Sequence, residues 1–259
     1  MRNIVLIPVL AILFVFASFT GTEKKGFRLR TVVIDAGHGG KDPGCNGKHS
    51  EEADIALKMA LELGRIIESN MPDVKVIYTR KTDTFVELID RAGIANKNRA
   101  DLFISLHCNS GPSKAYGTET FTMGLHTSDG NLKVAKRENA VILNEDNYKE
   151  KYNGFDPNSP QSHIMFTLFQ SAYMDNSLRF AQKVEYQFEK RVGRTSRGVK
   201  QAGLLVLWKS AMPSVLIELG FLTNANEEKY LNDKLGQTYM ASGIYRAFKE
   251  YKEELEAMN

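Results

Sequence analysis

Apolar residues run almost without interruption through three short stretches, Thr31–Asp35, Val74–Thr79 and Leu102–Leu106. Runs of that length and continuity predict strands buried on both faces. Between the first two, Ile55, Met59, Leu63, Ile66 and Ile67 return at helical spacing, with Ser50 placed as a cap and Pro72-Asp73 as a stop. Leu88, Ala92 and Ala95 predict a second helix before the third strand. Strands alternating with helices in this way belong to a sheet covered on both sides. The predicted fold class is α/β: a single domain with a central, mostly parallel or mixed sheet of about six strands flanked by helices on both faces.

The rhythm breaks from about Gly124 to Asn176, a polar stretch rich in Asn, Asp, Lys and Glu. Its length predicts an insertion with some helix of its own, and long insertions in compact domains are commonly lids or regulatory elements. Order returns with a helix through Leu178, Ala181, Val184 and Phe188, two strands at Leu204–Leu207 and Val215–Leu219, and a closing helix. That last helix carries Met240, Ile244, Ala247, Phe248, Tyr251 and Leu255 on one face.

Composition changes this picture little. Apolar and charged fractions of 42% and 25% are those of ordinary globular chains. A formal charge of +3, with no dense Lys/Arg run, does not call for a nucleic-acid partner. The N-terminus is more informative. Arg2, an apolar run from Ile4 to Phe19 and the small residues Thr20-Gly21-Thr22 form a signal peptide over residues 1–21, or an uncleaved anchor, ahead of a domain spanning 28–256. Export places the two cysteines, Cys45 and Cys108, in an oxidising compartment, where they either pair or stay as buried free thiols.

Reactive side chains stand where the apolar strands end: His38 after the first, His107 after the third, and Glu218 inside Val215–Leu219. In an open α/β sheet such ends converge on one crevice. Two His and a Glu form a common catalytic zinc set, because three protein ligands leave a fourth position free. Glu52, at the start of the first helix, is the candidate third ligand, and Glu218 is then left as general base. A carboxylate within Val-Leu-Ile-Glu-Leu is buried at a cost unless paired or coordinating. Acidic residues in a first helical turn, Glu51 and Glu52 alike, are also favoured by the helix dipole alone.

The blocks that carry these residues are Val33-Ile-Asp-Ala-Gly-His-Gly-Gly-Lys-Asp-Pro-Gly44, Glu52-Ala-Asp-Ile-Ala-Leu57, Thr79-Arg80, Ala100-Asp-Leu-Phe-Ile-Ser-Leu-His-Cys-Asn109 and Val215-Leu-Ile-Glu-Leu-Gly-Phe-Leu-Thr-Asn224. In this order they resemble the zinc-dependent N-acetylmuramoyl-L-alanine amidases of bacterial cell-wall turnover, over nearly the whole chain after Arg30. The resemblance implies one Zn2+ held by His38, Glu52 and His107, with Glu218 catalytic, on a zinc-exopeptidase-like scaffold. It selects Glu52 over Glu51 from the positions of Asp54 and Leu57. It implies peptidoglycan as substrate, cleaved between N-acetylmuramic acid and L-alanine, in a secreted, periplasmic or wall-associated enzyme of cell-wall remodelling and daughter-cell separation, expected as a monomer. Ala36 stands where the family usually has Pro, and Cys108 where a small or apolar residue is common. An insertion after the second His block resembles division-associated members in which a helix blocks the zinc until an activator protein displaces it. Glu138 is the candidate blocking residue, against a plain surface role. Asn109 and Ser105 are candidates for orienting His107 or touching substrate, and His49, His126 and His163 are expected at the surface. A zinc exopeptidase or carboxypeptidase, and an inactive wall-binding scaffold, remain as rival readings.

Overall fold

The structure, a computed structural model, describes residues 26–125, 128–167 and 173–258. The expected signal segment 1–21, His126 and part of the insertion lie outside the described residues. In chain order the described elements are β1 (Thr31–Ala36), α1 (Glu52–Asn70), β2 (Lys75–Tyr78), α2 (Leu88–Lys97), β3 (Leu102–Asn109) and β4 (Thr118–Met123). There follow α3 (Asp129–Asn139), a 3-10 turn (Ala140–Asn144), α4 (Tyr148–Lys151), α5 (Pro160–Thr167) and α6 (Met174–Gln187), which runs into a π turn. The chain closes with β5 (Ser196–Ala202), α7 (Leu205–Trp208), β6 (Ser214–Phe221), α8 (Ala225–Asn232) and α9 (Lys234–Ala257).

The strands form one six-stranded sheet in the order β2-β1-β3-β6-β4-β5. The first four run parallel, β4 lies antiparallel to β6, and β5 runs parallel to β4. Alternate strand residues face two cores. Val32, Ile34, Ile104, Leu106, Val215 and Ile217 meet α1, α6 and α9 through Met59, Leu63, Phe180, Val184, Ile244 and Phe248. Val33, Phe103, Phe121 and Leu216 meet α2, α7 and the insertion, which contributes Val134, Ala135, Val141, Ile142, Tyr152 and Phe155. The insertion is therefore part of the domain's packing and not a polar appendage. Among the described residues no helix is long and apolar enough to cross a membrane.

Three expectations are corrected. Leu204–Leu207 is not a strand but the entry to the short helix α7, with Leu205 N donating to the Asn139 side chain at 2.9 Å. A four-residue apolar run has no period to separate strand from helix. Ser50 does not cap α1: its hydroxyl donates to Glu228, and the helix's first N–H groups go instead to the carbonyls of Cys45 and Pro43. His163 is fully buried in α5, with Nε2 2.9 Å from the Pro157 carbonyl and Nδ1 3.4 Å from Asn139.

Candidate metal centre and active site

The crevice opens at the carboxyl ends of the parallel strands, where β1 and β3 lie side by side and the chain departs in opposite directions. Beyond β1, His38 adopts a left-handed backbone conformation with φ 58°. A non-glycine residue there is strained by about 1–3 kcal/mol and persists only where its surroundings fix it. Two buried arginines do so. Arg80 donates to the carbonyls of Ala36 (3.0 Å) and Gly37 (2.7 Å), and Arg91 to those of Ala36 (2.7 Å) and His38 (2.9 Å). His38 Nδ1 lies 2.7 Å from Asp42 Oδ2, which turns Nε2 toward the crevice.

Glu52 opens α1 with no exposed surface. Its carboxylate accepts from the N–H groups of Cys45 (2.9 Å) and Cys108 (2.8 Å), so the loop before α1 and the end of β3 both hold it in place. Close approach here requires Gly44, whose φ is +70° and where a Cβ would sit 2.7 Å from Glu52 Oε2 and His38 Cδ2. His107 comes from β3, in register with Glu218 of β6. Both cysteines are free thiols: Cys45 Sγ donates to the Cys108 carbonyl at 3.3 Å.

The fourth wall comes from the insertion. Ser128 caps α3 by accepting from Asn131 N, Val134 and Ala135 bury its inner face, and Asn139 bonds Gly203 and Leu205. These contacts set Arg137 and Glu138 into the crevice. Glu138 is 3% exposed, which removes the plain surface role. Its Oε2 lies 2.9 Å from His107 Nδ1 and 3.5 Å from His38 Nε2, while Glu52 Oε1 lies 3.1 Å from both nitrogens.

These contacts test whether the four groups suit a metal. Ligand atoms of His38, Glu52, His107 and Glu138 all fall within 4.8 Å of one another. Yet His38 Nε2 and Glu138 Oε2, both buried, have no hydrogen-bond partner in spite of these short contacts. Two imidazoles and two carboxylates gathered within that distance suit zinc, and a carboxylate behind a ligating imidazole, as Asp42 stands behind His38, is the usual support. Electrostatics follow from the crowding. Burial alone would lower both imidazoles, but Glu52, Asp42 and Glu138 carry His38 well above its ordinary value, and Glu138 and Glu52 carry His107 to about 9. Burial would likewise raise Glu52 and Glu138; His38 and His107 hold the first down, Arg137 and His107 the second.

Glu218 stands beside this cluster without joining it. Burial pushes its carboxyl up to about 8, against the opposing pull of Arg137. Arg137 Nη2 is 2.9 Å from Glu218 Oε1, Nε donates to Glu138 Oε1 (2.8 Å), and Nη1 donates to Asn109 Oδ1 (2.9 Å). Ser105 and Asn109, expected to orient His107 or to touch substrate, direct their side chains to partners other than His107. Ser105 donates to Asp35 at 2.6 Å, and Asn109 is engaged by Arg137 and by Glu119, to which its Nδ2 donates at 3.4 Å. The residues that sequence reasoning missed are Asp42 and Arg137. Asp42 stood in the quoted Gly-rich block, four residues after His38, a spacing that could have suggested its role; Arg137 carried no signal apart from Glu138 beside it.

A histidine and carboxylate cluster with an unligated Glu, at the strand ends of an α/β sheet, has the make-up of a metal-dependent hydrolase. The more specific assignment comes from known proteins. Residues 32–250 match the family model described as N-acetylmuramoyl-L-alanine amidase, and the chain belongs to that family. It is 33% identical over 230 residues to N-acetylmuramoyl-L-alanine amidase AmiC of Escherichia coli O6:H1, covering 85% of this chain and 52% of AmiC. It is 32% identical over 225 residues to AmiA of Escherichia coli K12, covering 85% of this chain and 75% of AmiA. The chain thus spans about half the length of the first relative and three quarters of the second. The N-acetylmuramoyl-L-alanine amidase from Clostridium difficile 630 superposes with a TM-score of 0.65 at 28% identity, over 88% of this chain and 98% of that one.

Proposed function

We propose that the chain is a zinc-dependent hydrolase of the amide between the N-acetylmuramic acid lactyl group and L-alanine in peptidoglycan, exported to act in wall remodelling and daughter-cell separation. His38, Glu52 and His107 hold the metal, and Glu218 is the base. The observation that carries this reading is the buried donor set with two unbonded ligand atoms, in strand register with an unligated, fully buried carboxylate. Zinc in that position supplies a Lewis acid that polarises the scissile carbonyl and makes water more acidic. Glu218 removes a proton from the attacking water and hands it to the leaving nitrogen. A C–O bond forms, the C–N bond breaks, and the products are a lactyl carboxylate and a stem peptide with a free amine. Arg80, Arg91 and Asp42 keep His38 turned inward throughout.

In the same reading the resting chain is autoinhibited. Glu138 fills the position that water or substrate needs, and a partner that draws α3 outward is the activator. The burial of Glu138 among three candidate ligands supports this. The test is mass spectrometry of products released from purified murein by the wild type and by Glu218→Gln. Free L-alanyl stem peptides are expected from the first; the second is expected to keep its zinc and lose about 10²–10⁴-fold in rate. Release of single amino acids, or unchanged activity of the variant, contradicts the assignment.

A further inference from the structure

The side chains that receive Arg137 form a receptor for a cation, and the enzyme's reaction generates one in the same place. Asn109 Oδ1 accepts from Nη1 at 2.9 Å, with Ser110 Oγ at 3.3 Å and the Ser110 carbonyl at 3.4 Å, and Glu218 Oε1 accepts from Nη2 at 2.9 Å. All are acceptors toward the guanidinium, and Asn109 is 2% exposed and Glu218 fully buried. The Asn109 amide cannot turn its NH2 toward the crevice without losing both its bond to Glu119 and the Ser110 N–H that Oδ1 accepts at 2.9 Å. Glu119 is itself 2% exposed and pinned by Arg197 and Lys200. When α3 is withdrawn Oδ1 keeps the Ser110 N–H, and its second lone pair faces the vacated crevice beside the Glu218 carboxylate.

Amide hydrolysis yields a carboxylate and an amine that is protonated at neutral pH. The pair Arg137-Glu138 presents the same two charges in the same order: a carboxylate among the metal-binding residues and a cation on the general base. Resting on the reading of the site given above, we propose that Arg137-Glu138 is a product mimic, and that Asn109, Ser110 and Glu218 form the subsite that takes the newly freed α-ammonium of the L-alanyl stem peptide. Glu138 stands for the lactyl carboxylate. Asn109 contacts the leaving nitrogen and orders it toward Glu218, which makes it a specificity residue for a primary amine at that end of the peptide.

The experiment uses the full zinc-loaded chain carrying Arg137→Ala and Glu138→Ala, which empties the subsite without touching its walls. Binding of an L-alanyl-γ-D-glutamyl peptide with a free amine is compared, by calorimetry, with that of its N-acetylated form. The expected result is a preference for the free amine of about tenfold or more, the size of one charge-assisted hydrogen bond. Adding Asn109→Leu is expected to reduce the preference to the share that Glu218 supplies, and Asn109→Asp to keep or enlarge it, which separates lost recognition from lost folding. Equal binding of the two peptides, with zinc retained and murein hydrolysis released, overturns the amine subsite and leaves the proposed function standing. Failure to hold zinc overturns that function and the subsite with it.

Discussion

Glu138→Ala is the perturbation that separates a blocking role for the insertion from a merely structural one. The Glu138 carboxylate has two sets of partners: Oε1 meets the Arg137 guanidinium at 2.7–2.8 Å, and Oε2 lies 2.9 Å from His107 Nδ1. The first is a contact between sequence neighbours and persists whether α3 is in or out. Only the second belongs to the closed state. A buried ion-pair contact of that kind contributes on the order of 1.5–3 kcal/mol, the low end for close charge pairs, and each 1.4 kcal/mol is a factor of ten in an equilibrium. The open fraction of a predominantly closed enzyme then rises about ten- to a hundredfold. The Arg137 hold on Glu218 remains in this variant, so the Arg137→Ala/Glu138→Ala pair is expected to exceed it. Release of soluble fragments from dye-labelled murein by the full-length chain measures the effect, with zinc content and thermal midpoint as controls. Activity at or below the wild-type level, with both controls unchanged, refutes the blocking role. Deletion of the whole insertion is a poorer test, because Val134, Val141, Ile142, Tyr152 and Phe155 would leave the second core with it.

Asp42→Ala removes the carboxylate behind His38 Nδ1 and is expected to weaken zinc affinity about 10- to 100-fold, read by competition with a chromogenic chelator; unchanged affinity would show that Arg80 and Arg91 orient the ring alone. Gly37→Ala places a Cβ 2.5 Å from Cε1 and Nε2 of His107, so zinc retention is expected to fall while far-UV circular dichroism holds. Asp35 is fully buried; burial alone would raise its carboxyl, but Arg91, Ser105 and Thr79 hold it below its ordinary value. A carboxyl lowered on folding contributes stability above its unfolded pKa, near 4, and loses it as pH falls through the folded value. Asp35→Asn, which strands Arg91, is expected to cost about 3–5 kcal/mol in urea unfolding at pH 7 and progressively less below pH 4. A gap that stays constant on acidification counts against the ion pair as its source.

The parallel half of the sheet was legible because its strands are apolar throughout, and His38, His107 and Glu218 because they sit at or near the ends of those strands; Glu52, at the start of α1, was singled out by the family pattern. The antiparallel half of the sheet was not legible. β4 reads Thr-Glu-Thr-Phe-Thr-Met, yet every residue in it is buried, because Glu185 accepts from the hydroxyls of Thr118 and Thr120 and from Ser196 of β5. A strand whose interior is satisfied by hydrogen bonds leaves no hydrophobic pattern to read. β5, at the sheet edge and carrying Arg197, Lys200 and Gln201, is polar for the reason edges commonly are. Polarity misled in the insertion as well, where His163 was expected at the surface: Glu138, Glu145 and His163 are buried because each has partners, or candidate co-ligands, supplied by other parts of the chain.

The reversal of β4 also explains why the residues of α3 that reach the crevice, Arg137 and Glu138, lie at its end. Glu119 is in register with Glu218 at the crevice, and β4 then runs away from it to Met123, about 13 Å at ~3.3 Å per residue. From Asp129 to Glu138 a helix advances about 14 Å at ~1.5 Å per residue, which carries the chain back to the level of Glu218. Only the last turn of such a helix can reach the candidate metal ligands. In that turn Arg137 is favoured by the helix dipole and Glu138 is disfavoured, by about 0.3–1 kcal/mol each. Glu138 is therefore kept in place by what it meets in the crevice and not by its own helix. A partner that draws α3 outward, as the proposed block requires, works with the dipole and against the crevice contacts, the packing of Val134 and Ala135 and the Asn139 hydrogen bonds.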